Sequence, residues 1–447
     1  MIAVAWVLFA VALGCPLVYR FGGLGDLAPR WAAMLLIFGA GTCAGIGISS
    51  CLFFVCRLAV PGAPRLALFA EVAILIGLAY EIWRKRHMVT TAPAAQVPFT
   101  PLLALAIVLA LAVATGAMAD AWEANPQGNW DAWSIWNLRA RFLAADGTLP
   151  QRAWSPALSW THPEYPLLIS AFVARCWTYS GSIADAGPIA TSYVFFIALI
   201  AILTGGLAAW RSRTLGLLCG LALLGSPHFL HEVPAQYADI PLACYFAAAI
   251  MFALLDRPLL AGLFSGLAAW TKDEGLLFLV VFLAATAILR RSQFWRTAAA
   301  AMPFAILAAI FKFALAPRLT TTFGGGAADP ARIGQVLAAL AHESAAMSMG
   351  WYHPLLPLIA LAIALRFEKT RRQDLLFAGS IPIAMLVGYV GIELITSNDL
   401  SWQLQTSLSR LLVQIWPALL LFVFACLRTP ESAAIVEPQK KAKRPQR

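Results

Sequence analysis

Charged residues are scarce in this sequence, and their scarcity limits what kind of protein it can be. Asp, Glu, Lys and Arg make up 12% of the 447 residues, whereas hydrophobic residues make up 61%. A typical soluble domain has about a quarter charged residues, so a soluble enzyme, a disordered protein and a fibrous repeat are excluded. The apolar residues occur in many blocks of about 20, the length of a helix that spans a bilayer. We therefore expect an all-α polytopic membrane protein.

The sequence also has little that would indicate a disulfide framework or a signal peptide. The eight cysteines are scattered, mostly in apolar runs, without a Cys-x-x-Cys pair, which favours buried thiols over a disulfide or metal framework. No basic residue precedes the first apolar run, so the N-terminus is predicted to be a retained first span rather than a signal peptide. His228, His231 and Glu232 lack the spacing of a zinc protease motif, and we predict no structural metal there.

Apolar windows predict about thirteen transmembrane helices. They lie near residues 2–19, 31–56, 66–83, 101–119, 188–209, 214–230, 234–255, 259–271, 275–289, 297–316, 353–366, 374–395 and 411–427. The resulting division has additional N-terminal helices (1–100), a core with a large outer loop at 120–187 (101–290), C-terminal helices with a second outer loop at 317–352 (291–427), and a basic cytoplasmic tail (428–447). The second outer loop, with Gly324–Gly326 and an amphipathic stretch at 331–347, suits a mobile cover.

The distribution of charge predicts the orientation. With the N-terminus outside, 21 of the 32 basic residues fall in cytoplasmic loops or the tail, as the positive-inside rule requires. The apolar stretch 164–180 is then a half-inserted or surface helix, because a further span would move Arg211 and Arg213 outside. Most carboxylates lie at the outer face. We expect a bacterial inner (plasma) membrane protein whose net charge of +10 reflects anchors beside anionic lipid, without nucleic-acid binding.

The first outer loop holds seven of the sixteen tryptophans, and a carboxylate lies among them. Asp131 is flanked by Trp130 and Trp133, and helical spacing would place both indoles on one face with Asn137. One interpretation is an aromatic belt at the membrane interface, with Asp131 as an ordinary residue at a helix N-terminus. The alternative is a functional carboxylate beside indoles that stack on a sugar.

Two further elements follow in the same loop. The helix predicted over 130–144 also carries Arg139 and Arg141, within a few turns of the carboxylate. His162-Pro163-Glu164-Tyr165-Pro166 then opens an apolar helix, since Pro166 suits a first helical position. This helix is expected to lie along the interface, facing the Asp131 helix, with His162, Glu164 and Tyr165 at its polar end. An interfacial turn with polar groups directed to water is the alternative.

Later outer corners place charges at the ends of apolar runs. Tyr237 and Asp239 begin one run, at a depth where an ionisable group is usually functional or paired. Lys272 and Glu274 separate two others, and the ammonium group could bind a phosphate, although an ordinary polar turn has the same composition. Arg410, near the outer start of the last span, could face the same cavity.

Taken in order, these elements resemble the GT-C fold glycosyltransferases, most closely the protein O-mannosyltransferase and lipid A aminoarabinose transferase group. The matching segments are Trp130-Asp131-Ala132-Trp133, His162-Pro163-Glu164-Tyr165-Pro166, Ser226-Pro227, Tyr237-Ala238-Asp239 and Thr271-Lys272-Asp273-Glu274-Gly275. The chain departs from the family in three ways. It has a lone Asp131 where protein mannosyltransferases have an Asp-Glu pair, Glu164 interrupts the His-Pro-Pro element, and three additional spans precede the core.

The resemblance implies transfer of a sugar, with inversion, from a polyprenyl-phosphate donor to a glycan, lipid or protein of the cell envelope at the outer face. Asp131 would be the general base and Asp239 a second catalytic carboxylate. The candidates for binding the donor phosphate are Arg139, Arg141, Lys272 and Arg410. The candidates for binding substrate are Trp130, Trp133, Asn137, His162, Glu164, Tyr165, Tyr237 and Glu274. No cofactor is required, although a divalent metal shared by Asp131 and Asp239 stays an alternative.

Two other functions remain open at this point. A transporter or flippase of lipid-linked sugars would place ionisable groups near the midplane and often has repeated halves. The charges inside apolar runs are few, at Glu71, Glu81, Lys312 and Glu393, and no matching halves are evident. A non-catalytic subunit of an envelope-assembly complex could retain the tryptophans and tolerate loss of Asp131.

Overall fold

The computed structural model describes residues 2–27, 29–85, 101–145, 150–317, 329–350, 353–368 and 370–429. Within these residues the secondary structure is helical and no β-strand is formed, apart from an isolated bridge between Phe367 and Leu427. Eight of the described helices are long and apolar enough to cross a membrane. The expectation of an all-α membrane protein is thereby confirmed.

Eighteen α-helices follow one another along the described parts of the chain. The first nine described are Ile2–Gly22 (α1), Arg30–Ala59 (α2), Leu66–Lys85 (α3), Pro101–Ala124 (α4), Asn137–Ala144 (α5), Leu168–Ser180 (α6), Ala186–Trp210 (α7), Arg213–Leu224 (α8) and Pro227–Glu232 (α9). The next nine are Asp239–Leu254 (α10), Pro258–Thr271 (α11), Asp273–Leu289 (α12), Arg291–Ile310 (α13), Pro330–Ala346 (α14), Leu355–Leu365 (α15), Arg372–Ile395 (α16), Leu400–Gln403 (α17) and Ser409–Cys426 (α18).

Each apolar window of the sequence lies on at least one helix. The number of spans is a separate question, because α8, α10, α11, α12 and α15 have only 11 to 17 residues. At about 1.5 Å per residue these helices are shorter than a hydrocarbon core of about 30 Å. The count of thirteen spans therefore stays a prediction, whereas eight helices have the length and composition of a span.

The interior is built from close helix contacts around one buried helix. A Cβ placed on Gly45 of α2 would lie 1.8 Å from the carbonyl oxygen of Ala10 in α1, so only glycine allows this approach. Small residues at the contact let membrane helices pack closely, since lipid provides no hydrophobic drive between them.

In α10 every residue from Asp239 to Leu254 is buried. The first residue of the most enclosed helix is therefore one of the predicted site residues.

The apolar helix that follows the His162–Pro166 element is α6, and it does not lie on the surface. Every residue from Leu168 to Tyr179 is buried, and the helix packs against α1, α2 and α5. Its Arg175 donates to both carboxylate oxygens of Glu71 in α3, at 2.7 and 2.5 Å, and both side chains are fully buried. Packing on α5 agrees with the expected position facing the Asp131 segment. The helix is enclosed by its neighbours rather than exposed on the surface of the protein, and its expected position along the membrane interface stays a prediction.

Charged side chains collect at opposite ends of the central helices. At one end, Asp239 begins α10 and Lys272 joins α11 to α12. At the other end, Arg290 pairs with Asp374 at 2.6 Å, and Arg257 donates to the carbonyl oxygen of the last residue of α1. The apolar lengths of α10, α11 and α12 separate the two groups, as the division of charge in the sequence predicts.

The second outer loop is described only in part. Its amphipathic stretch forms α14, which packs Val336 against Leu404 and Leu408 and leaves Leu337 exposed. Gly324–Gly326 and the basic tail from residue 430 onward lie outside the described residues. The cover function of this loop stays a prediction.

Candidate active site

Asp239 is the centre of a polar cluster at one end of the bundle. Its side chain is fully buried, and both carboxylate oxygens accept hydrogen bonds from other helices. Oδ1 accepts from Lys272 Nζ at 3.1 Å and from Gln414 Nε2 at 2.5 Å. Oδ2 accepts from Nε and Nη2 of Arg410 at 3.1 and 2.9 Å. Four donor atoms therefore stabilise the ionised form of a carboxylate that water does not reach.

Arg410 connects this buried carboxylate to a more accessible one. Its Nη1 lies 2.7 Å from Oδ2 of Asp131, while its other nitrogens hold Asp239. The Tyr237 ring lies beneath the guanidinium, 4.3 Å from Cζ, at a distance typical of a cation–π contact. The side chain of Asp131 is 18% exposed and that of Asp239 0%. One guanidinium thus joins the two predicted catalytic carboxylates, of which only Asp131 can meet a substrate.

Lys272 is the second cation of the cluster. Its Nζ lies 2.7 Å from Oε1 of Glu274 as well as 3.1 Å from Asp239. Burial alone would lower the pKa of Lys272, but the two carboxylates outweigh it and the pKa is raised. Lys272 therefore stays protonated at neutral pH and can meet an anionic ligand as a cation.

Two polar residues deep in the bundle orient this end of the site. Tyr389 of α16 donates from its hydroxyl to Oε1 of Gln414 at 2.6 Å. That bond turns the Gln414 amide so that its NH₂ group points to Asp239 and, at 3.3 Å, to Glu274. Sequence analysis did not identify Tyr389 or Gln414. The sequence feature that could have indicated Gln414 is the presence of a glutamine within the apolar run of α18.

Three π-helical turns carry or adjoin the charged residues of this region. They are Ala132–Trp136 after Asp131, Phe311–Leu315 with Lys312, and Leu404–Leu408 before Arg410. Such turns shift the phase of a helix and are frequent at functional sites. The first corrects the prediction of a shared face, since Trp130 and Trp133 are 60% and 44% exposed while Asn137 is buried.

The exposed indoles lie directly beside the accessible carboxylate. Trp130 and Trp133 form an edge-to-face pair with ring centroids 4.6 Å apart. Asn137, which faces inward instead, donates to the side-chain oxygen of Gln236 at 3.4 Å. The two indoles are therefore placed to contact a ligand or lipid, and Asn137 fastens the segment to the bundle.

The His162–Pro166 element forms the neighbouring wall. The Tyr165 ring stacks on His162 at a centroid distance of 4.5 Å and on buried Trp136 at 6.1 Å. Burial, followed by the carboxylates of Glu274 and Asp273, raises the pKa of the Tyr165 hydroxyl well above its usual value. Tyr165 is therefore a neutral hydrogen-bond donor within electrostatic reach of the cluster.

A second ion pair extends the cluster toward this wall. Lys312 Nζ lies 2.5 Å from Oδ2 of Asp273, while Oδ1 of Asp273 is buried without a hydrogen-bond partner. Glu164 likewise has one paired oxygen, which lies 3.2 Å from Nδ1 of His162, and one buried oxygen without a partner. Although burial opposes ionisation, the bond with His162 keeps the pKa of Glu164 below its usual value. These carboxylates retain acceptor capacity for a ligand.

Two of the arginines predicted to bind the donor phosphate have other partners. Buried Arg139 donates to the carbonyl oxygens of Ala153, His162, Pro163 and Tyr165, at 2.7 to 3.4 Å. Its donors are therefore used in shaping the loop. The guanidinium of Arg141 lies over the Trp177 ring, 5.7 Å from its centroid. Arg139 is accordingly no longer a phosphate candidate, whereas the assignment of Arg141 stays a prediction beside those of Lys272 and Arg410.

The alternative of a divalent metal shared by Asp131 and Asp239 stays a prediction. The Arg410 guanidinium lies between these two carboxylates and contacts both, in the position that such a metal would take. Across the described part of the chain, no three His, Cys, Asp or Glu side chains are grouped so as to hold a metal ion.

Comparison with known proteins does not assign this arrangement to a family. No family model, curated protein or solved structure matches the chain. The function is consequently argued from the geometry of the site, with the resemblance noted in the sequence as its starting point.

Proposed function

We propose that the chain is a membrane glycosyltransferase of the GT-C type, which transfers a sugar from a polyprenyl-phosphate donor to an acceptor of the cell envelope. The observation that carries the proposal is the Arg410 guanidinium shared between accessible Asp131 and buried Asp239. Exposed indoles adjoin Asp131, and a second cation, Lys272, lies on the other side of Asp239. This combination provides a base, a sugar-stacking surface and cations for a phosphate.

The two carboxylates would have different roles. Asp131 is accessible, so it can accept the proton of an acceptor hydroxyl as general base. Asp239 is enclosed and receives four donor contacts, so it holds the cations in place rather than reacting itself. Preorganised cations at the position of the departing phosphate stabilise the charge that develops there.

The reaction then requires Arg410 to change partners. A donor phosphate entering the cluster competes with Asp131 for Nη1, while Nε and Nη2 remain on Asp239. Released Asp131 takes the acceptor proton as the acceptor oxygen bonds to the anomeric carbon. The bond from that carbon to the phosphate oxygen breaks, and polyprenyl phosphate leaves with the electron pair. A single displacement without a covalent enzyme intermediate inverts the anomeric configuration.

The proposal can be tested with purified protein in liposomes that contain polyprenyl-phosphate sugars. Asp131→Asn should lower the transfer rate by about 10²–10⁴-fold, the usual contribution of a general base. The matched control is Asp120→Asn, which changes an exposed aspartate at the end of α4 and should keep the wild-type rate. Full activity of Asp131→Asn would remove the base assignment.

The same liposomes distinguish transport from transfer. The charges within apolar runs are bound to partners, as Glu71 is to Arg175 and Lys312 to Asp273, which gives no support to an ion path through the midplane. Movement of donor lipid between leaflets without transfer by the wild type would favour a transporter. Neither activity would favour an assembly subunit.

We place the site at the outer face of a bacterial inner membrane, because the basic residues predicted to be cytoplasmic lie at the opposite end of the helices. Ser159 is exposed on the loop of the site, and Ser292 is exposed at the opposite end. In intact cells, a cysteine at Ser159 should react with an impermeant thiol reagent, and one at Ser292 only after permeabilisation. The reverse result would invert the orientation.

A further inference from the structure

The short connection between α9 and α10 lies against the segment that carries Asp131. The backbone N–H of Asn129 donates to the carbonyl oxygen of Ala235 at 3.2 Å. A Cβ on Gly128, which has a φ of +74°, would lie 2.5 Å from the same oxygen. The two backbones therefore approach so closely that only glycine fits, and this contact lies three residues before Asp131.

Gln236 makes a second set of contacts with the same segment, from inside the protein. It is buried, with 5% of the residue exposed. Its Nε2 donates to the carbonyl oxygen of Pro126 at 2.9 Å, and its Oε1 accepts from Nδ2 of Asn137 at 3.4 Å. These two partners lie on either side of Asp131 in the chain. Because a primary amide provides both a donor and an acceptor, one side chain holds the Asp131 segment at both ends.

The backbone of Gln236 has a conformation that is unfavourable for this residue type. Its φ is +60°, in the left-handed region that favours glycine. Residues held in sparsely populated backbone regions are concentrated at functional sites, where the surrounding structure compensates the strain. Glycine would remove the strain but also the amide that contacts Pro126 and Asn137. A glutamine at this position therefore indicates a use for the amide that outweighs the strain.

The residues that follow Gln236 form the other side of the site. The ring of Tyr237 lies beneath the guanidinium of Arg410, 4.3 Å from Cζ, and Asp239 begins α10. Arg410 can contact both carboxylates only while the Asp131 segment and the start of α10 keep their relative position. The Gln236 amide connects these two parts of the chain directly.

We propose that Gln236 is a positioning residue, whose amide holds Asp131 at the distance at which Arg410 contacts both carboxylates. Gln236 does not touch a substrate and acts through Asp131 and Arg410. Its loss frees Asp131 before a donor arrives, so the donor phosphate meets less competition for Arg410 while the acceptor meets a displaced base. The expected combination is tighter binding of the donor and slower transfer. The part that concerns transfer rests on the proposed function, whereas the effect on Asp131 does not.

Carbodiimide labelling of Asp131, measured by peptide mass spectrometry without lipid ligand, tests the positioning by itself. Gln236→Gly relieves the backbone and removes the amide, and it should raise this labelling severalfold, since loss of one hydrogen bond changes an equilibrium by about fivefold. Gln236→Met, which keeps a side chain of similar length without hydrogen bonds, should have the same effect and covers the case of a glycine variant that does not fold. The matched control is Gln151→Gly, at an exposed glutamine of the same outer loop, which should keep the wild-type labelling.

Binding of polyprenyl phosphate and the rate of sugar transfer then test the coupling to the reaction. Gln236→Gly should bind polyprenyl phosphate more tightly than the wild type and transfer the sugar about 100-fold more slowly, as a displacement of about 1 Å can cause. Wild-type labelling of Asp131 in both Gln236 variants would overturn the inference, whether or not the protein transfers a sugar. Weaker binding together with slower transfer would show a merely structural role and would also overturn it. Raised labelling of Asp131 with no transfer by the wild type would remove the proposed function and support the positioning role.

Discussion

The pair formed by Glu71 and Arg175 and the cluster around Asp239 both hold charge inside the bundle, but they distribute it differently. Arg175 gives two parallel hydrogen bonds to one carboxylate, and neither side chain is exposed. Arg410 divides its nitrogens between two carboxylates, one of which is 18% exposed. A guanidinium with one enclosed partner can only stabilise structure. A guanidinium shared with an accessible partner can exchange that partner for a ligand.

The surroundings of the two arginines reinforce the contrast. Arg175 lies over the rings of Phe9, Phe172 and Tyr179, with its Cζ 4.8 to 5.8 Å from their centroids. Aromatic rings on several sides leave no path for a polar ligand. Arg410 has the Tyr237 ring on one side and the more accessible carboxylate of Asp131 on another. We therefore propose a structural role for the Glu71–Arg175 pair and a role in ligand exchange for the contact between Arg410 and Asp131.

The largest expected effect is on stability, from breaking the enclosed pair. Arg175→Met should lower the free energy of unfolding by about 3–5 kcal/mol, because it leaves the Glu71 carboxylate buried without its partner. Adding Glu71→Met should restore most of the loss, since apolar replacement of a whole buried pair is often nearly neutral. Unfolding of the purified variants in detergent measures both changes. A single variant as stable as the wild type would contradict the structural role.

A smaller effect, on the rate of sugar transfer, is expected from replacing Arg410, whose guanidinium is shared between the two carboxylates. Arg410→Lys keeps the charge but cannot hold two carboxylates at fixed geometry. We expect the transfer rate to fall by about 100-fold, as when one preorganised donor is lost, with the protein still folded. Arg291→Lys, at the opposite end of the bundle, is the control and should keep the wild-type rate. Wild-type activity of Arg410→Lys would show that the shared contact is not used.

The sequence predicts the helices well and the site in part. Hydropathy locates helices because each must bury an apolar length, and it also isolates Asp131 and Asp239 as costly charges in apolar surroundings. It does not reveal the contact from Arg410 to Asp131, which depends on how α18 packs beside α10. Nor does it reveal the π turn after Asp131, which directs Asn137 inward. Nor does it reveal that Arg139 binds backbone carbonyl groups, since these belong to a loop whose path has no periodic signal. The sequence therefore predicts a phosphate as the partner of Arg139.

The smallest expected effect concerns an ion pair between exposed His231 and buried Glu232. Nδ1 of His231 lies 3.7 Å from Oε1 of Glu232, an ion-pair distance, and the Glu232 carboxylate raises the pKa of His231. Its stabilisation is fully present below the ordinary histidine value of about 6.5 and is lost as the pH rises through the raised value. Since the His231 side chain is 57% exposed, the contribution should be well under about 1 kcal/mol.

The contribution of this ion pair is measured by comparing the melting temperatures of the wild type and of His231→Asn. The comparison is made below and above the pH range in which His231 loses its proton. The wild type should be slightly more stable at about pH 5.5, and the difference should vanish at about pH 8.5. A difference that grows with pH would reverse the assigned sign.

The central claim is that a donor phosphate takes Arg410 away from Asp131. Carbodiimide labelling of Asp131, followed by peptide mass spectrometry, measures this exchange directly. A carboxylate released from a guanidinium is open to attack by the reagent, so polyprenyl phosphate should increase labelling of Asp131 and leave that of Asp120 unchanged. If polyprenyl phosphate binds and the labelling of Asp131 stays the same, the two carboxylates keep their shared guanidinium and the account is contradicted.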